Sequence, residues 1–480
     1  MTQNTSFPRI LLGAPASGSG KTAVTCGLLC VLKRRGLEPV SFKCGPDYID
    51  PMFHRTVLSI ESRNLDMFFS GKEGVTGTLS KAAGRLGVIE GVMGLYDGTD
   101  PKTTEGSAYE IAQATDSPVL LIMPAFGAGR TIGSLILGLL SDDPDRRIRG
   151  IILNGMSSSY YEKICDALSE KIRNAGYDAR LLGCIPKIKD LHLDSRHLGL
   201  KLPNEIDDLR EQIDRIADAI EENCDTDGIL QIMRDASPLP AGKSKAGAQQ
   251  EHPGDPMQLA LTVPAIHTDR SPILAIARDD AFCFYYRENL DRLECAGIKL
   301  APFSPIRDAH LPNGAAGLLL GGGYPELYLP ALSENVLMKE AIREAIRSGM
   351  PAIAECGGFM YLHESIEDTE GKPYETAGVI SGTCRYTGHL VNFGYVTAAE
   401  HRGLHESAFA DVLPGMRGHE FHYYESTAEA EDILLVKKTT GRMYPAMIAR
   451  DRMLLGFPHF YYGDNGFVSK LIEEMEKYGK

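Results

Sequence analysis

Short apolar segments alternate with helix-length segments from the start of the chain to about residue 235. Periodic segments such as 21–35 and 159–175 lie between several of the apolar ones. Apolar strands separated by helices are typical of a parallel sheet with helices on both faces, so the pattern predicts a doubly wound α/β fold. The predicted buried strands are RILLG (9–13), EPVSF (38–42), LGVIE (86–90), PVLLIMP (118–124), RGIILN (149–154) and ARLLGCIP (179–186).

A change of composition separates this region from a second strand–helix series. DASPLPAGKSKAGAQQEHPGDP is rich in Ala, Gly, Pro, Ser and Gln and has no apolar period, which indicates a linker. From about residue 376 onward Gly, Tyr and Thr become denser, as in antiparallel strands, and 464–478 is a candidate closing helix. The predicted strands of the second series are PILAIAR (272–278), IKLAPF (298–303), AGLLLGG (316–322) and PAIAE (351–355). The predicted segments are a first domain (1–235), a linker (236–270) and a second α/β domain (271–480).

Charge and cysteine content exclude several classes of protein. The 480 residues carry 50 Lys+Arg and 64 Asp+Glu, a formal net charge of −14, which argues against a nucleic-acid binder. An anionic substrate therefore needs local basic residues. The ten cysteines contain no CxxC pair, so a disulfide scaffold and a zinc ribbon are disfavoured. No signal peptide or membrane-length apolar stretch is evident, and we expect a cytoplasmic protein without a membrane partner.

The first predicted strand runs into GAPASGSGKT (13–22), a glycine-rich segment that precedes a helix. Backbone N–H groups in such a turn, with the positive end of the helix dipole, bind phosphates. Lys21 can reach the outer phosphates, and the Thr22 hydroxyl can bind magnesium. The usual phosphate-loop spacing has glycine where this chain has Pro15, and Gly13 supplies the glycine instead. The predicted ATP-binding residues are Gly13, Gly18, Gly20, Lys21, Thr22 and Lys43.

Acidic side chains follow two later predicted strands. FKCGPDYIDP (42–51) places Lys43 at a strand end and Asp47 and Asp50 in the following loop, and LGVIE ends at Glu90. Ligands of parallel sheets bind at the carboxyl ends of the strands, and magnesium takes hard oxygen ligands that it shares with phosphates. Each acid taken singly is more often a helix cap or a solvated loop residue, but beside a phosphate loop they predict a Mg²⁺ site. Its predicted ligands are Thr22, Asp47 and Glu90.

The second domain carries a cysteine at a predicted strand-to-helix turn. In PAIAECGGFMYL the strand ends at Glu355, Cys356 follows, and two glycines open a helix. A thiol at such a turn is exposed near a helix N-terminus, which favours its nucleophilic thiolate. Gly322 and Gly323, at another strand end, can stabilise an oxyanion through their N–H groups. His459 follows a further apolar strand and is the candidate general base. For the other cysteines a buried core role is the simpler interpretation.

Nine segments match one known family in order and separation: GAPASGSGKT, FKCGPDYIDPMFH, SRNLD, IEGVMGLYDG, SRHLGL, GGGYPELY, ECGGFMYL, GHEFHY and GFPHF. Over nearly its full length the chain resembles the cobyrinic acid a,c-diamide synthases, glutamine-dependent amidotransferases of corrinoid biosynthesis. The resemblance implies an N-terminal domain like dethiobiotin synthetase, with a phosphate loop, and a C-terminal class I glutaminase domain. Its implied cofactors are ATP and Mg²⁺, and its implied partners are L-glutamine and a tetrapyrrole polycarboxylate.

The implied reaction activates two carboxylates in succession as acyl phosphates, which ammonia from the glutaminase then converts to amides. Lys21, with help from Lys43, neutralises charge on the transferred phosphoryl group. A polycarboxylate ring also needs cations and polar groups, which loops of the first domain could supply. The competing interpretation of each such residue is an ordinary solvated surface position. The candidate substrate residues are Asp97, Arg63, Arg130, Arg196 and His197.

One position departs from the pattern of triad glutaminases. These enzymes usually carry a glutamate two residues after the catalytic histidine, where this chain has Tyr461. Corrinoid amidotransferases also tend to lack that acid, so the resemblance survives. Glu420, in GHEFHY, or a backbone carbonyl could orient His459, and the sequence does not decide between them.

Three alternatives remain open at this point. The same reaction could act on hydrogenobyrinic acid or nickel-sirohydrochlorin, and cobyric acid synthase is a further relative that amidates other positions. From a different class, the chain could be a non-catalytic partner protein with a ParA-like ATPase switch. Cys356 and His459, at catalytic-looking positions, argue against a non-catalytic role. The resemblance leaves the oligomeric state open, with a homodimer as one option.

Overall fold

The structure is a computed structural model that describes residues 7–189, 191, 203–239, 271–399, 406–463 and 465–479, with the backbone alone for 203–207. The chain divides into two units, residues 1–260 and 261–480. The predicted linker 236–270 is described only as far as residue 239, and Arg196 and His197 lie outside the described residues. Within the described ranges no helix has both the length and the apolar character needed to cross a membrane.

Strands of the first unit form one parallel sheet. Those that the structure describes are β1 (Arg9–Gly13), β2 (Pro39–Cys44), β3 (Ser62–Leu65), β4 (Leu86–Glu90), β5 (Val119–Pro124), β6 (Ile148–Asn154) and β7 (Arg180–Ile185). Their order across the sheet is β3-β2-β4-β1-β5-β6-β7, and every pairing is parallel. The doubly wound fold and its six predicted strands are confirmed. The additional strand, β3, has the sequence SRNL, and it is too short and too polar to be recognised from an apolar pattern.

Helices cover both faces of this sheet because successive strand residues point to opposite sides. On β4, for example, Val88 packs into one buried apolar cluster and Ile89 into the other. The helices of the first unit are α1 (Lys21–Arg34), α2 (Ile49–Thr56), α3 (Met67–Ser80), α4 (Ala108–Ala114), α5 (Ile132–Ser141), α6 (Ser158–Asn174), α7 (Pro203–Asn223) and α8 (Thr226–Arg234).

Strand register brings three predicted site segments to one edge of the sheet. β4 lies between β2 and β1, with Glu90 opposite both Lys43 and Leu12. The glycine-rich segment begins directly after Leu12, at Gly13. Since all three strands run in the same direction, their carboxyl ends and the loops that follow lie together.

The second unit also has a central, mainly parallel sheet. Its strands lie in the order β10 (Lys299–Phe303), β8 (Ile273–Ala277), β11 (Ala315–Leu320), β13 (Ala352–Glu355), β23 (Met453–Gly456) and β22 (Ile448–Arg450), and the β22–β23 pairing is antiparallel. The elements up to its middle are β8 (Ile273–Ala277), β9 (Phe282–Phe284), α9 (Arg287–Cys295), β10 (Lys299–Phe303), β11 (Ala315–Leu320), β12 (Gly322–Gly323), α10 (Leu329–Glu334), α11 (Val336–Arg347), β13 (Ala352–Glu355) and α12 (Gly357–Tyr361). The four predicted strands of this region, and the α/β class of the unit, are confirmed.

Antiparallel strands dominate the last third of the chain, as their composition predicts. The elements are β14 (Ser365–Glu367), β15 (Pro373–Glu375), β16 (Thr383–Tyr386), β17 (Asn392–Ala399), β18 (Arg417–His422), β19 (Tyr424–Ser426), β20 (Ile433–Lys437), β21 (Met443–Ala446), β22 (Ile448–Arg450), β23 (Met453–Gly456), β24 (His459–Phe460) and α13 (Phe467–Tyr478). β22 and β23 belong to the central sheet, and the other strands form two smaller sheets, ordered β15-β14-β16-β19 and β21-β20-β17-β18-β24. β24 places His459 beside the central sheet and opposite His419 of β18.

Candidate functional site

The glycine-rich segment forms a tight loop between β1 and α1. Gly18 and Gly20 have φ angles of 75° and 89°, a region that favours glycine. A Cβ atom on Gly20 would also lie 2.3 Å from the Asn154 side chain, which donates to the Ser19 carbonyl at 3.0 Å. The loop therefore needs glycine at position 20 both for backbone conformation and for space, and it presents its N–H groups before the first turn of α1.

Lys21 and Thr22 open helix α1 on this loop. The Lys21 ammonium donates to the backbone carbonyls of Ala16, at 3.2 Å, and of Met93, so it folds back over the loop. Burial and the nearby Lys43 charge lower the pKa of Lys21. The Thr22 hydroxyl donates to Glu90 Oε1 at 2.6 Å. Lys21 is thus placed where phosphates would meet the helix N-terminus, and Thr22 is joined to an acid from another strand.

Glu90 lies at the centre of a buried charge cluster. Lys43 Nζ is 2.8 Å from Glu90 Oε1 and 2.5 Å from Asp50 Oδ2, and all three side chains are buried. Burial, opposed by Lys43 and reinforced by the charge of Asp50, raises the pKa of Glu90 to about 7. Its Oε2 atom has no hydrogen-bond partner among the described residues and lies 3.9 Å from His54 Nε2. Glu90 is thus a buried acid rather than a solvated strand-end residue.

Asp47 and Asp50 take different roles in the loop after β2. Asp47 Oδ1 accepts the backbone N–H groups of Ile49, at 2.8 Å, and Asp50, at 3.1 Å, which caps helix α2. Burial and the neighbouring Asp50 charge raise the pKa of Asp47 to about 6. Asp47 therefore spends one carboxylate oxygen on the cap. Asp50, which the sequence placed in the same loop but not among the predicted metal ligands, is the acid that pairs with Lys43 beside Glu90.

The donor set at this edge is compatible with magnesium. Thr22 Oγ1 and Glu90 Oε1 are hard oxygen donors in direct contact, and Glu90 Oε2 lacks a partner within the described part of the chain. No three His, Cys, Asp or Glu side chains converge as a preformed metal cage within the described residues. Magnesium in phosphate sites needs no such cage, because it keeps water and substrate phosphates as most of its ligands.

The candidate substrate residues are dispersed over the first unit. Asp97 is exposed in the loop after β4, where its Oδ2 accepts the Gly94 N–H at 3.0 Å. Arg130 is exposed in the loop after β5, at the same edge of the sheet as Glu90. Arg63 lies on β3, where its Nε donates to Glu61 at 2.8 Å. Asp97 and Arg130 thus have positions from which they could meet a ligand, and Arg63 already has an acidic partner.

In the second unit Cys356 occupies a strained turn between β13 and α12. Its backbone has φ 49° and ψ −108°, an unfavourable conformation for a residue with a side chain. Its N–H donates to the Gly456 carbonyl of β23 at 2.8 Å, which fixes the turn to the sheet. A Cβ atom on Gly358 would lie 2.2 Å from the Leu320 carbonyl, so the first turn of α12 can approach β11 only with glycine there. The ECGG sequence therefore forms a strained strand-to-helix turn of the kind that carries nucleophiles in other enzymes.

His459 and Gly322 meet at the thiol. A Cβ atom on Gly322 would lie 2.8 Å from His459 Nε2 and 3.3 Å from Cys356 Cβ. The backbone at Gly322 therefore lies against the cysteine–histidine pair. A Cβ atom on Gly357 would lie 3.2 Å from the Gly323 nitrogen, which places this backbone beside the start of α12 as well.

The acid beside His459 is Glu355, outside both alternatives that the sequence suggested. His459 Nδ1 lies 3.6 Å from Glu355 Oε2, and both side chains are buried. Glu420 instead accepts a hydrogen bond from the Tyr444 hydroxyl. Tyr461, at the position of the usual acid, contacts Arg292 through its hydroxyl at 3.2 Å and its ring. The signal for Glu355 was in the sequence, directly before Cys356, but only the structure shows which way the residues point.

Electrostatics favour a charged His459. Burial acts against the imidazolium, but the hydrogen bond with Cys356 and the interaction with Glu355 prevail and raise the pKa of His459 to about 9. His419, opposite His459 on β18, behaves in the reverse way: burial and the His459 charge lower its pKa to about 3. His459 can therefore hold a proton at neutral pH beside the Cys356 thiol.

Comparisons with known proteins agree with this division. The family model of the CobQ/CobB/MinD/ParA nucleotide binding domain matches residues 10–200, and that of the CobB/CobQ-like glutamine amidotransferase domain matches residues 273–453. The first match spans the glycine-rich loop, Lys43 and Glu90, and the second contains Gly322, Glu355 and Cys356 but ends before His459.

Curated relatives match nearly the whole chain. Cobyrinate a,c-diamide synthase of Picrophilus torridus is 35% identical over 458 residues, which cover 95% of this chain and 96% of the relative. That of Dehalococcoides mccartyi strain 195 is 34% identical and covers 98% and 99% of the two chains. That of Caldanaerobacter subterraneus subsp. tengcongensis is 36% identical with the same coverage.

Proposed function

The chain belongs to the cobyrinate a,c-diamide synthase family, and on this premise we propose that it amidates two carboxylates of cobyrinic acid through acyl phosphates. It is a carbon–nitrogen ligase that takes its amide nitrogen from glutamine, with a nucleotide-binding unit and a glutaminase unit. The proposal extends this to the intermediate, the metal and the residues. Hydrogenobyrinic acid and nickel-sirohydrochlorin are the alternative substrates to be tested.

Activation as an acyl phosphate follows from the chemistry of the leaving group. A carboxylate does not react with ammonia at a useful rate, because oxide would have to leave. When a carboxylate oxygen attacks the γ-phosphorus of ATP, ADP leaves and the carboxyl carbon acquires a phosphate leaving group. Ammonia then attacks that carbon, phosphate departs with the former carboxylate oxygen, and a proton is released as the amide forms.

We assign the first step to the loop and the buried charge cluster of the first unit. Lys21 supplies positive charge to the transferred phosphoryl group, and Lys43 holds Glu90 and Asp50 in place beside it. Thr22 and Glu90, with Asp47 as the further predicted ligand, would hold Mg²⁺, which supplies charge neutralisation to the phosphates. Asp97 and Arg130 remain the candidates for contact with the corrinoid carboxylates.

We assign ammonia release to the second unit. The Cys356 thiol gives its proton to His459 Nε2, and the thiolate attacks the side-chain amide carbon of glutamine. The backbone N–H groups of Gly322 and Gly323 stabilise the resulting oxyanion. His459 returns the proton to the departing nitrogen, so ammonia leaves and a thioester remains. Water then hydrolyses the thioester to glutamate and restores the thiol.

The observation that carries the proposal is the meeting of strained Cys356, buried His459 and Gly322 at one point. The test supplies purified protein with ATP, glutamine labelled with ¹⁵N in its side-chain amide, and each of the three macrocycles separately. We expect cobyrinic acid to gain two labelled amides by mass spectrometry. Labelled amides on another ring alone would move the assignment to that ring, and none on any ring would refute the proposal.

The acyl phosphate has its own test. Cobyrinic acid with ¹⁸O in its carboxylates should transfer one ¹⁸O to inorganic phosphate for every amide formed, because the carboxylate oxygen leaves with the phosphoryl group. Phosphate free of ¹⁸O, in a reaction that makes amides, would exclude this intermediate.

A further inference from the structure

We propose that Glu355, the residue directly before the nucleophile, positions His459 and stabilises its protonated form during glutamine hydrolysis. It would replace the acid that triad glutaminases carry two residues after the histidine. The inference deepens the proposed function and rests on the roles assigned there to Cys356 and His459. Glu355 is a positioning residue, because it acts on His459 and not on glutamine.

The geometry places one carboxylate between the nucleophile turn and the histidine strand. Glu355 is the last residue of β13, so its side chain leaves the sheet directly before the turn that carries Cys356. Oε2 is 3.6 Å from His459 Nδ1. Oε1 accepts the Phe460 N–H and the Tyr462 hydroxyl, both at 3.2 Å. One oxygen thus fixes the segment after His459, and the other faces its ring.

A second side chain, that of Asn289, also holds the His459 segment. Asn289 of α9 donates to the Phe460 carbonyl at 2.7 Å and accepts the Tyr462 N–H at 2.8 Å. These bonds, with the two that Glu355 Oε1 accepts, fix residues 460–462 at four points. The ring of His459 therefore has little freedom to turn away from Glu355, and the 3.6 Å separation can shorten when the imidazole gains a proton.

Other groups around His459 do not supply the same charge. His419, on β18, stays neutral because burial and the His459 charge lower its pKa to about 3. Tyr462 faces Glu355 and stays protonated, since burial and the Glu355 charge raise its pKa well above the usual value. Tyr285, half-buried near Glu355, donates to the Ala277 carbonyl, and its pKa is raised in the same direction. Glu355 is thus the acid that faces the Nδ1 side of His459.

The chemical consequence is a more persistent thiolate–imidazolium pair. When the thiol proton moves to His459 Nε2, the ring becomes a cation whose Nδ1–H points towards Glu355. The carboxylate favours that cation, so the thiolate forms at lower pH and the proton needed by the leaving ammonia stays on His459 to higher pH. A neutral group in place of Glu355 would narrow the active pH range from both sides.

The test compares Glu355→Gln with Glu420→Gln, another buried glutamate of the same unit that bonds Tyr444 instead. Two readouts are taken across pH: glutamate release from glutamine, and iodoacetamide labelling of Cys356 measured on its own peptide by mass spectrometry. For Glu355→Gln we expect the alkaline limb of glutaminase activity to move down, and the onset of Cys356 labelling to move up, by about 1–3 pH units. The kcat for glutamine should fall at least about tenfold, with KM nearly unchanged.

Glu420→Gln should leave both pH limbs at their wild-type positions. The inference would be overturned if a folded Glu355→Gln variant kept the wild-type pH profiles of glutaminase activity and Cys356 labelling. Equal shifts of these profiles in both variants would overturn it too. Glu355→Asp supplies a second test if the glutamine variant does not fold: it keeps the charge, so its limbs should stay within about one unit of wild type. A larger displacement would also overturn the inference. If the Cys356→Ala variant kept glutamine-dependent amidation, the proposed function itself would be refuted.

Discussion

The two units each place a reactive side chain where a parallel strand turns into a helix, but they hold it in different ways. In the first unit Lys21 follows a glycine-rich loop, and its ammonium bonds the loop carbonyl of Ala16 and that of Met93. In the second unit Cys356 lies on a strained backbone turn. His459 lies beside it and is held there by buried neighbouring side chains. The buried charges of the first site pair with one another, whereas the proposed nucleophile and base of the second site lie side by side.

The difference reflects what each site has to bind. In the first unit the buried Lys43 forms ion pairs with Glu90 and Asp50. A highly charged nucleotide can take over those interactions, so the charges need no empty cavity before it arrives. A cysteine–histidine pair gains its reactivity from fixed geometry, which a neutral amide substrate cannot create by its own charge. The lesson is that charge can be exchanged on binding, whereas orientation has to be built into the fold.

The largest expected effect is that of Cys356→Ala, which tests whether the second unit works as an independent ammonia source. Glutamine-dependent amidation should fall by about 10⁴-fold or more, because no other group can form the thioester. Amidation with added ammonium chloride should persist at the wild-type rate. Product formation with each nitrogen donor gives the answer, and loss of both activities in a folded variant would contradict the division of labour.

Lys21→Ala should reduce amidation with either nitrogen donor, by roughly 10³-fold. We assign the Lys21 ammonium to the stabilisation of the transferred phosphoryl group. This transfer has to occur before any amide can form. Glutamate release from glutamine alone serves as the control and should be retained. Normal ammonia-dependent turnover in this variant would contradict the assignment of the glycine-rich loop to the ATP site.

Glu90→Gln should lower amidation by roughly 10²–10³-fold while it leaves the ligand-free protein stable. Since burial raises the pKa of Glu90 from 4.5 to about 7, the unfolded chain ionises first, and stability is lost as the pH rises from about 4.5 through about 7. The glutamine variant should therefore match or exceed the wild-type melting temperature at pH 8, and Lys43 keeps Asp50 as its partner. Melting curves without ligand and turnover across a magnesium titration measure both effects. A large fall in melting temperature with near-normal turnover would make Glu90 a structural acid.

The smallest effect is expected for Gly322→Ala, which probes how tightly the second site is built. The added Cβ would lie 2.2 Å from His459 Cε1, so the ring or the backbone must shift. We expect glutaminase activity to fall by about 10- to 100-fold, since small misplacement of catalytic groups has effects of that size. Ammonia-dependent amidation is the matched control and should not change. Wild-type glutaminase rates would show that this geometry is looser than the structure indicates.

Most of the fold could be read from local patterns, because buried parallel strands are short apolar runs whatever their neighbours are. β3 escaped because its middle residues, Arg63 and Asn64, are polar at the edge of the sheet. Lys43, Glu90 and Cys356 were recognisable because each lies near the end of a strand or directly after one, and His459 because it follows the apolar strand β23. Local sequence does not state how such ends are ordered across a sheet, and so it could not reveal that Lys43 joins Glu90 to Asp50.

Sequence by itself determined which residue types stand at the strand ends: a lysine and a threonine after a glycine-rich loop, and a cysteine between a glutamate and two glycines. It also carried the family relationship, since those segments match over nearly the full chain. Tertiary structure alone decided the partners. Asp47 caps its own helix, whereas Asp50 pairs with Lys43, and His459 faces Glu355 across more than 100 residues of sequence. The physical reason is that a carboxylate acts over a few ångströms, and only packing of distant strands sets those distances.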